Sequence, residues 1–263
     1  MSDEDTGLLI WNGVLGATLK LPGAKVDRAK YLRSALSPHL SSDVIEEAIQ
    51  TTPAQAGVDA NTVKRAAQGS VSWHHAGVTA VSTLAGLPGG WWLAGAIPAD
   101  LSQYLWHVLV ISQKLAYLHG WPDLLEQDGE LDDETKMLLT LFIGLMLGAQ
   151  GAAEGLGKIA AALSAQVAKR LPRQALTKYA AYQVAKGVAK WLGVTLTKEK
   201  AGQLVGRAVP VVGGVVAGGV TWFAFGIGAT RLRKHLEGLP LAGSSAPSNN
   251  GFDPTAIASE LTP

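Results

Sequence analysis

Apolar side chains recur at intervals of three and four residues along most of the chain, which is the spacing of helices with one buried face. Tyr31, Leu32 and Leu36 form one such face. Asp43 followed by Glu46 three residues later resembles a pair of helix-capping residues. The pattern predicts helices over residues 27–40, 43–51, 59–75 and 98–119. Alternating β-branched runs bounded by turns are nearly absent, so the predicted fold class is all-α.

Two later stretches, residues 137–153 and 208–230, carry no charged side chain and contain glycines at four-residue steps. Such steps allow two helix backbones to approach closely, in a protein core or in lipid. The stepped glycines are Gly144, Gly148, Gly214 and Gly218. Between the two stretches, residues 158–207 are strongly basic, with Glu199 as the single acidic residue. The expected architecture is a compact multi-helix bundle with central helices rich in glycine and alanine.

Changes in composition predict three segments. Residues 1–24 hold an apolar run behind an acidic start, which indicates a helix or a docking arm and lacks the basic start of a signal peptide. Residues 25–241 form the predicted helical domain. Residues 242–263 are rich in Ser, Pro and Asn, and this composition predicts a disordered tail.

Composition restricts the possible chemistry more than it indicates a partner. The 263 residues include no cysteine, which excludes disulfides, thiolate metal sites and thiol nucleophiles. The formal net charge is +1, so charge alone favours no partner. The sequence contains no phosphate-binding loop, no nucleophile elbow, no zinc-protease motif and no dinucleotide-binding glycine motif. We therefore predict a protein without enzymatic activity, cofactor or metal.

Residues 208–230 are long enough to cross a bilayer core, which needs roughly 20 residues. Their glycines, and Pro210, suit a tightly packed soluble core equally well. Three interpretations remain open: a soluble helical core, an integral span, and a helical hairpin at the membrane surface. The basic segment favours membrane contact, and Trp91 with Trp92 beside the turn at residues 86–90 suits an interfacial anchor. Nucleic acid is not expected, because few aromatic residues accompany the bases.

One stripe of the helix predicted over 98–119 is polar. Its residues are Asp100, Gln103, Tyr104, His107 and Lys114. One interpretation is a polar site at a cleft or ligand cavity; the favoured one is a carboxylate at a helix start with the other residues at the surface. His74 and His75 point to different helix faces, so a metal pair is not favoured. Glu154, four residues before Lys158, and Arg207 are interpreted as structural charges.

Several segments together resemble the EcsC-type family of bacterial proteins, over roughly residues 25–240. The segments are Val26–Arg28 with Tyr31–Leu32, Gly86–Gly90, Ile97–Asp100, Gln113–Pro122 and Val209–Gly214. His119 stands where the family usually has Tyr. The resemblance implies a helical fold, a bacterial cytoplasmic protein and, through an ABC-transporter operon linked to the family, proximity to the inner face of the cytoplasmic membrane. It implies no particular reaction.

The leading functional hypothesis is a non-enzymatic, membrane-associated helical protein that binds a lipid surface or partner helices through its small-residue helices. The partners would be membrane lipids or a membrane protein, and a homo-oligomer is a further possibility. The alternative hypothesis is a soluble protein that binds an apolar small ligand or lipid in a cavity between residues 76–120 and 208–230, with Asp100 and His107 at its mouth.

Overall fold

A computed structural model of the chain describes residues 3–81, 99–124, 132–166, 180–196 and 217–243. In these residues every regular element is a helix, which confirms the all-α prediction. The helices are α1 (Asp3–Leu19), α2 (Arg28–Leu36), α3 (Ser42–Gln50), α4 (Ala60–Val81), α5 (Ala99–Leu118), α6 (Asp133–Leu147), α7 (Ala152–Gln166), α8 (Ala180–Thr195) and α9 (Ala217–Glu237), followed by a 3-10 turn at Pro240–Ala242. Residues 244–263 of the predicted tail, together with Trp91, Trp92, Arg207 and Gly214, lie outside the described residues, whereas Ala242 ends the 3-10 turn.

Helix α5 lies at the centre of the bundle. It packs against α1, α2, α4, α6 and α9, and its residues from Leu115 to Leu118 are buried completely or nearly so. A helix that is apolar around most of its circumference is expected in the interior of a bundle. Helix α6 is also buried on nearly every side. The positions of the polar side chains on α5 are therefore fixed by packing from several directions.

The helix boundaries follow local capping signals, with some differences from the predictions. Asp27 accepts a hydrogen bond from the Lys30 amide at 2.8 Å and begins α2. The capping pair predicted at Asp43 is wrong: α3 begins after Ser41, and no side chain caps it. Glu46 instead pairs with Arg33 through two hydrogen bonds of 2.6 and 2.8 Å, because the guanidinium offers a bidentate partner.

The uncharged run beginning at residue 137 forms two helices rather than one. Gly148 ends α6 with φ 86°, and Gly151 precedes α7 with φ 80°. Only glycine adopts these left-handed angles without steric strain. Glu154 lies in the first turn of α7 and pairs with Lys158 at 2.8 Å on the surface. The tight connection places α6 and α7 side by side.

Glycines lie where helices cross most closely. A Cβ atom on Gly193 of α8 would stand 1.7 Å from the carbonyl oxygen of Gly7 in α1, and one on Gly144 would stand 2.3 Å from Val188. Gly228 of α9 similarly faces the backbone of Met146 in α6. These distances leave no room for any side chain. The contact of Gly7 with Gly193 packs α1 against α8. Gly218, another of the glycines predicted to pack helices, lies in the first turn of α9.

Helix α1 also contributes to the core. Trp11 is 1% exposed, and its indole N–H donates to the Thr140 hydroxyl at 2.9 Å. Val14, Leu15 and Leu19 are buried with it. None of the helices described in the structure is both long enough and apolar enough to cross a membrane.

Candidate functional site

A chain of three polar side chains connects α4 and α5. His107 and Lys114 are seven residues apart on α5, so they lie on one face two turns apart. His74 of α4 lies between them: its Nδ1 is 3.0 Å from Nδ1 of His107, and its Nε2 is 3.0 Å from Nζ of Lys114. His74 is completely buried and His107 is 5% exposed. Packing of α4 against α5 therefore creates a lysine–histidine–histidine chain.

The hydrogen-bonding capacities determine where the protons reside. A lysine ammonium can only donate, so Nε2 of His74 must accept from Lys114. Neutral His74 then carries its proton on Nδ1 and donates it to Nδ1 of His107. His107 in turn carries its proton on Nε2. The chain is consistent only while both imidazoles are neutral.

Burial keeps both imidazoles neutral. Desolvation, followed by the charges of Lys114 and His107, lowers the pKa of His74 to about 2. Desolvation and then Lys114 lower the pKa of His107 to about 4. Desolvation also lowers the pKa of the Lys114 amine. In the described part of the chain no carboxylate forms an ion pair with Lys114.

Aromatic rings surround the lysine end of the chain. Nζ of Lys114 lies 5.0 Å from the centre of the Trp73 ring and 5.6 Å from that of Tyr31. The Tyr31 hydroxyl is hydrogen-bonded to Ser70 at 2.7 Å. Trp73 is 61% exposed. Lys114 is half-buried, so its amine lies at the rim of the protein, between aromatic rings and a buried imidazole.

The predicted polar stripe is only partly assembled in the structure. His107 and Lys114 belong to the chain with His74, whereas Tyr104 packs against Phe225 of α9 at 6.4 Å between ring centres. The side chain of Asp100 lies outside the described residues. His74, which completes the chain, was not included in the predicted stripe. Nothing local in the sequence identifies the partners of His74, because the contact depends on how α4 and α5 cross.

Rings also occupy the place where the alternative hypothesis expected the mouth of a cavity. Phe225 stacks on His75 at 6.0 Å between ring centres and meets His107 edge-on at 6.5 Å. Trp106 lies against His107 at 4.9 Å. Among the described side chains, no group of three or more histidines and carboxylates is arranged to hold a metal ion.

The segment 113–122 holds the fold together. The Gln113 side chain accepts from the Val26 amide at 3.0 Å and donates to the Ala24 carbonyl at 2.7 Å. The Tyr117 hydroxyl donates to the Val26 carbonyl at 3.1 Å. Gly120, with φ 85°, ends α5 against the backbone of Leu241. These side chains bind the backbone of the α1–α2 connection, which is a structural task.

A second surface with functional character is the outer face of α8. The exposed residues Tyr182, Gln183, Gly187 and Trp191 form it, with the half-buried Lys186 and Lys190 at its edge, where the backbone of Lys190 lies against Gly7 of α1. Tyr182 is 45% exposed and Trp191 is 37% exposed. The opposite face, with Ala185, Val188, Ala189 and Leu192, is buried. Helix α8 contains no acidic residue, so its outer face combines aromatic rings with positive charge.

A groove of about 640 Å³ lies between the start of α4, the end of α5 and the 3-10 turn. Its lining is mixed: polar residues such as Asp59, Lys64 and Glu237 stand beside apolar ones such as Val58, Val63 and Leu118.

Comparison with known proteins gives no relative for this chain. No protein-family model, no curated protein and no solved structure matches it.

Proposed function

We propose that this protein is a non-enzymatic helical protein that associates with the surface of anionic membranes through the outer face of α8. The observation that carries the proposal is that exposed Tyr182 and Trp191 lie beside half-buried Lys186 and Lys190, on a helix without any acidic residue. Aromatic rings favour the interface between headgroups and acyl chains. Lysines favour an anionic leaflet by about 1 kcal/mol each.

The rigidity of α8 supports this proposal. It is packed against α1, α6 and α7, and the contact of Gly193 with Gly7 brings the backbones of α8 and α1 together. The outer face is therefore formed before any membrane is met, so ordering it costs little free energy on binding. Leu9 of α1, which is 60% exposed, adds apolar surface on the neighbouring helix.

Flotation with vesicles tests the proposal directly. The full-length protein should float with vesicles that contain phosphatidylserine and remain behind with phosphatidylcholine vesicles. The double substitution of Lys186 and Lys190 by glutamine should weaken binding by at most about 30-fold, since two fully accessible lysines would contribute roughly 2 kcal/mol. Replacing Lys136 and Lys158 by glutamine removes the same charge from α6 and α7 and should leave binding unchanged.

A second pair of variants tests the aromatic contribution. Replacing Tyr182 and Trp191 by serine should reduce flotation, whereas Trp73→Ser removes a more exposed tryptophan from α4 and should not. Protein that stays with the soluble fraction at every lipid composition would refute the proposal. Equal loss in the α8 variants and in their controls would show that binding reflects net charge or unfolding and not this face.

Two related assignments follow as proposals. The segments quoted above support membership of the EcsC-type family and a place at the inner face of the bacterial cytoplasmic membrane. The alternative function, a binder of an apolar small ligand, has less support, because aromatic side chains pack around His107, where the mouth of its cavity was expected. Native mass spectrometry of the purified protein that reveals a retained lipid in stoichiometric amount would favour the alternative.

A further inference from the structure

The groups around Lys114, at one end of the lysine–histidine–histidine chain, are those expected around a reactive amine. Among the described residues, its Nζ has one hydrogen-bond acceptor, Nε2 of His74 at 3.0 Å, and two aromatic rings as further neighbours, Trp73 and Tyr31. No carboxylate pairs with it in the described part of the chain. A lysine that lacks a counter-ion and is partly desolvated more readily gives up its proton and becomes a nucleophile.

The groups that face Lys114 come from three helices. His74 of α4 accepts a hydrogen bond from its amine, and His107 of α5 lies behind His74 at 3.0 Å. Tyr31 of α2 contributes a ring whose hydroxyl is held by Ser70 and whose pKa is raised by burial. None of these groups carries a negative charge at neutral pH, so none stabilises the ammonium form as a carboxylate would.

We propose that Lys114 is a site of imine formation with aromatic or conjugated aldehydes. The amine nitrogen attacks the carbonyl carbon, and the carbonyl oxygen takes up a proton to give a carbinolamine. The proton that leaves the nitrogen passes to solvent water, while the neutral His74 imidazole keeps accepting a hydrogen bond from the nitrogen at Nε2. Loss of the hydroxyl group as water then leaves a carbon–nitrogen double bond, so the only products are the imine and one water molecule.

The surroundings favour a flat ligand. Trp73 is 61% exposed and its ring lies 5.0 Å from Nζ, so a conjugated aldehyde that reaches the amine has an aromatic face to stack on. An aliphatic aldehyde of similar size would lack this contact. This preference separates the proposed site from ordinary surface lysines. The site lies on α4 and α5, and the proposal is independent of membrane binding by α8.

The test is site-resolved labelling of the folded, full-length protein. The protein is incubated at pH 7 with pyridoxal and sodium cyanoborohydride, which reduces the imine and preserves it for peptide mass mapping. Lys136 and Lys158 serve as internal controls, because their ammonium groups are ion-paired with Asp133 and Glu154. We expect Lys114 to be labelled roughly tenfold faster than either control, and to prefer pyridoxal over butyraldehyde.

Variants distinguish this site from general lysine reactivity. Lys114→Arg keeps the positive charge but forms no imine, so it should abolish the fast labelling, whereas Lys136→Arg should not. Circular dichroism establishes that each variant is folded. Labelling of Lys114 no faster than that of Lys136 in the wild-type protein would overturn the proposal, as would fast labelling that survives in folded Lys114→Arg.

Discussion

The side chain of Arg28 joins α2 to the end of α3 and to the segment after α5, so its replacement should destabilise the fold. Arg28 is 7% exposed. Its guanidinium donates to the carbonyl oxygens of Ala48, Ile49 and Thr51 at the end of α3, at 3.2, 2.6 and 2.9 Å. It also donates to the carbonyl of Trp121 after α5, at 3.2 Å. A methionine at this position would keep the approximate length and donate to none of these acceptors.

The cost of Arg28→Met follows from these four contacts. Hydrogen bonds from a charged donor contribute about 1.5 kcal/mol each, which suggests a gross loss of about 6 kcal/mol. Part of this is returned, because the wild-type protein bears the desolvation of a buried guanidinium. That desolvation is also the main cause of the lowered pKa of Arg28. A net loss of about 3 kcal/mol remains, equivalent to roughly 6–12 °C in Tm for a domain of this size.

Thermal unfolding followed by circular dichroism measures this loss, and α2 supplies a matched control. Arg33 lies on the same helix, five residues from Arg28, but its bidentate partner Glu46 and its own side chain are about half exposed. Exposed ion pairs contribute little to stability. Arg33→Met should therefore leave Tm nearly unchanged.

The comparison of the two variants decides between two explanations. A large fall in Tm for Arg28→Met alone supports the role of the buried carbonyl contacts. Equal Tm values for the two variants would refute the reasoning, because the exposed pair and the buried hydrogen bonds would then contribute equally. Urea unfolding of the same proteins provides an independent estimate of the difference in free energy.

Two further predictions concern helix crossings and pH. Gly193→Ala should lower the free energy of unfolding by about 1–3 kcal/mol, because its Cβ would overlap the carbonyl of Gly7. Gly187→Ala on the same helix is the control and should be neutral or stabilising, since no atom lies within 4 Å of the added Cβ. Equal denaturant midpoints for the two variants would contradict this prediction. As pH falls from 6.5 towards 4, His74 and His107 become protonated in the unfolded chain but stay neutral in the folded protein, where burial lowers their pKa values. The unfolded state is therefore favoured and Tm should fall. The double substitution of both histidines by phenylalanine should make Tm less dependent on pH, and an unchanged slope would count against the buried neutral pair.

Local sequence patterns determined the helical class and most of the element positions. The polar stripe on α5 was visible because residues seven apart lie on one face of a helix. The position where α5 ends was visible from Gly120 and Pro122. The end of α2 was less accurate, since the helix ends at Leu36 and not at residue 40. The capping pair predicted for α3 was wrong, because Glu46 binds Arg33 on another helix. Helix caps depend on residues within four positions in the sequence, whereas an ion pair between two helices depends on how those helices pack against each other.

Only the tertiary structure decided which residues of the same type make contacts between helices. Gly187 and Gly193 lie in the same helix in similar local sequence, yet only Gly193 meets the backbone of α1. His74 became the partner of Lys114 across 40 positions of the chain, which no periodicity along a single helix can reveal. Sequence periodicity fixes which face of a helix is buried; the crossing of two helices fixes which residues on those faces touch, because contact depends on rotation and offset between helices.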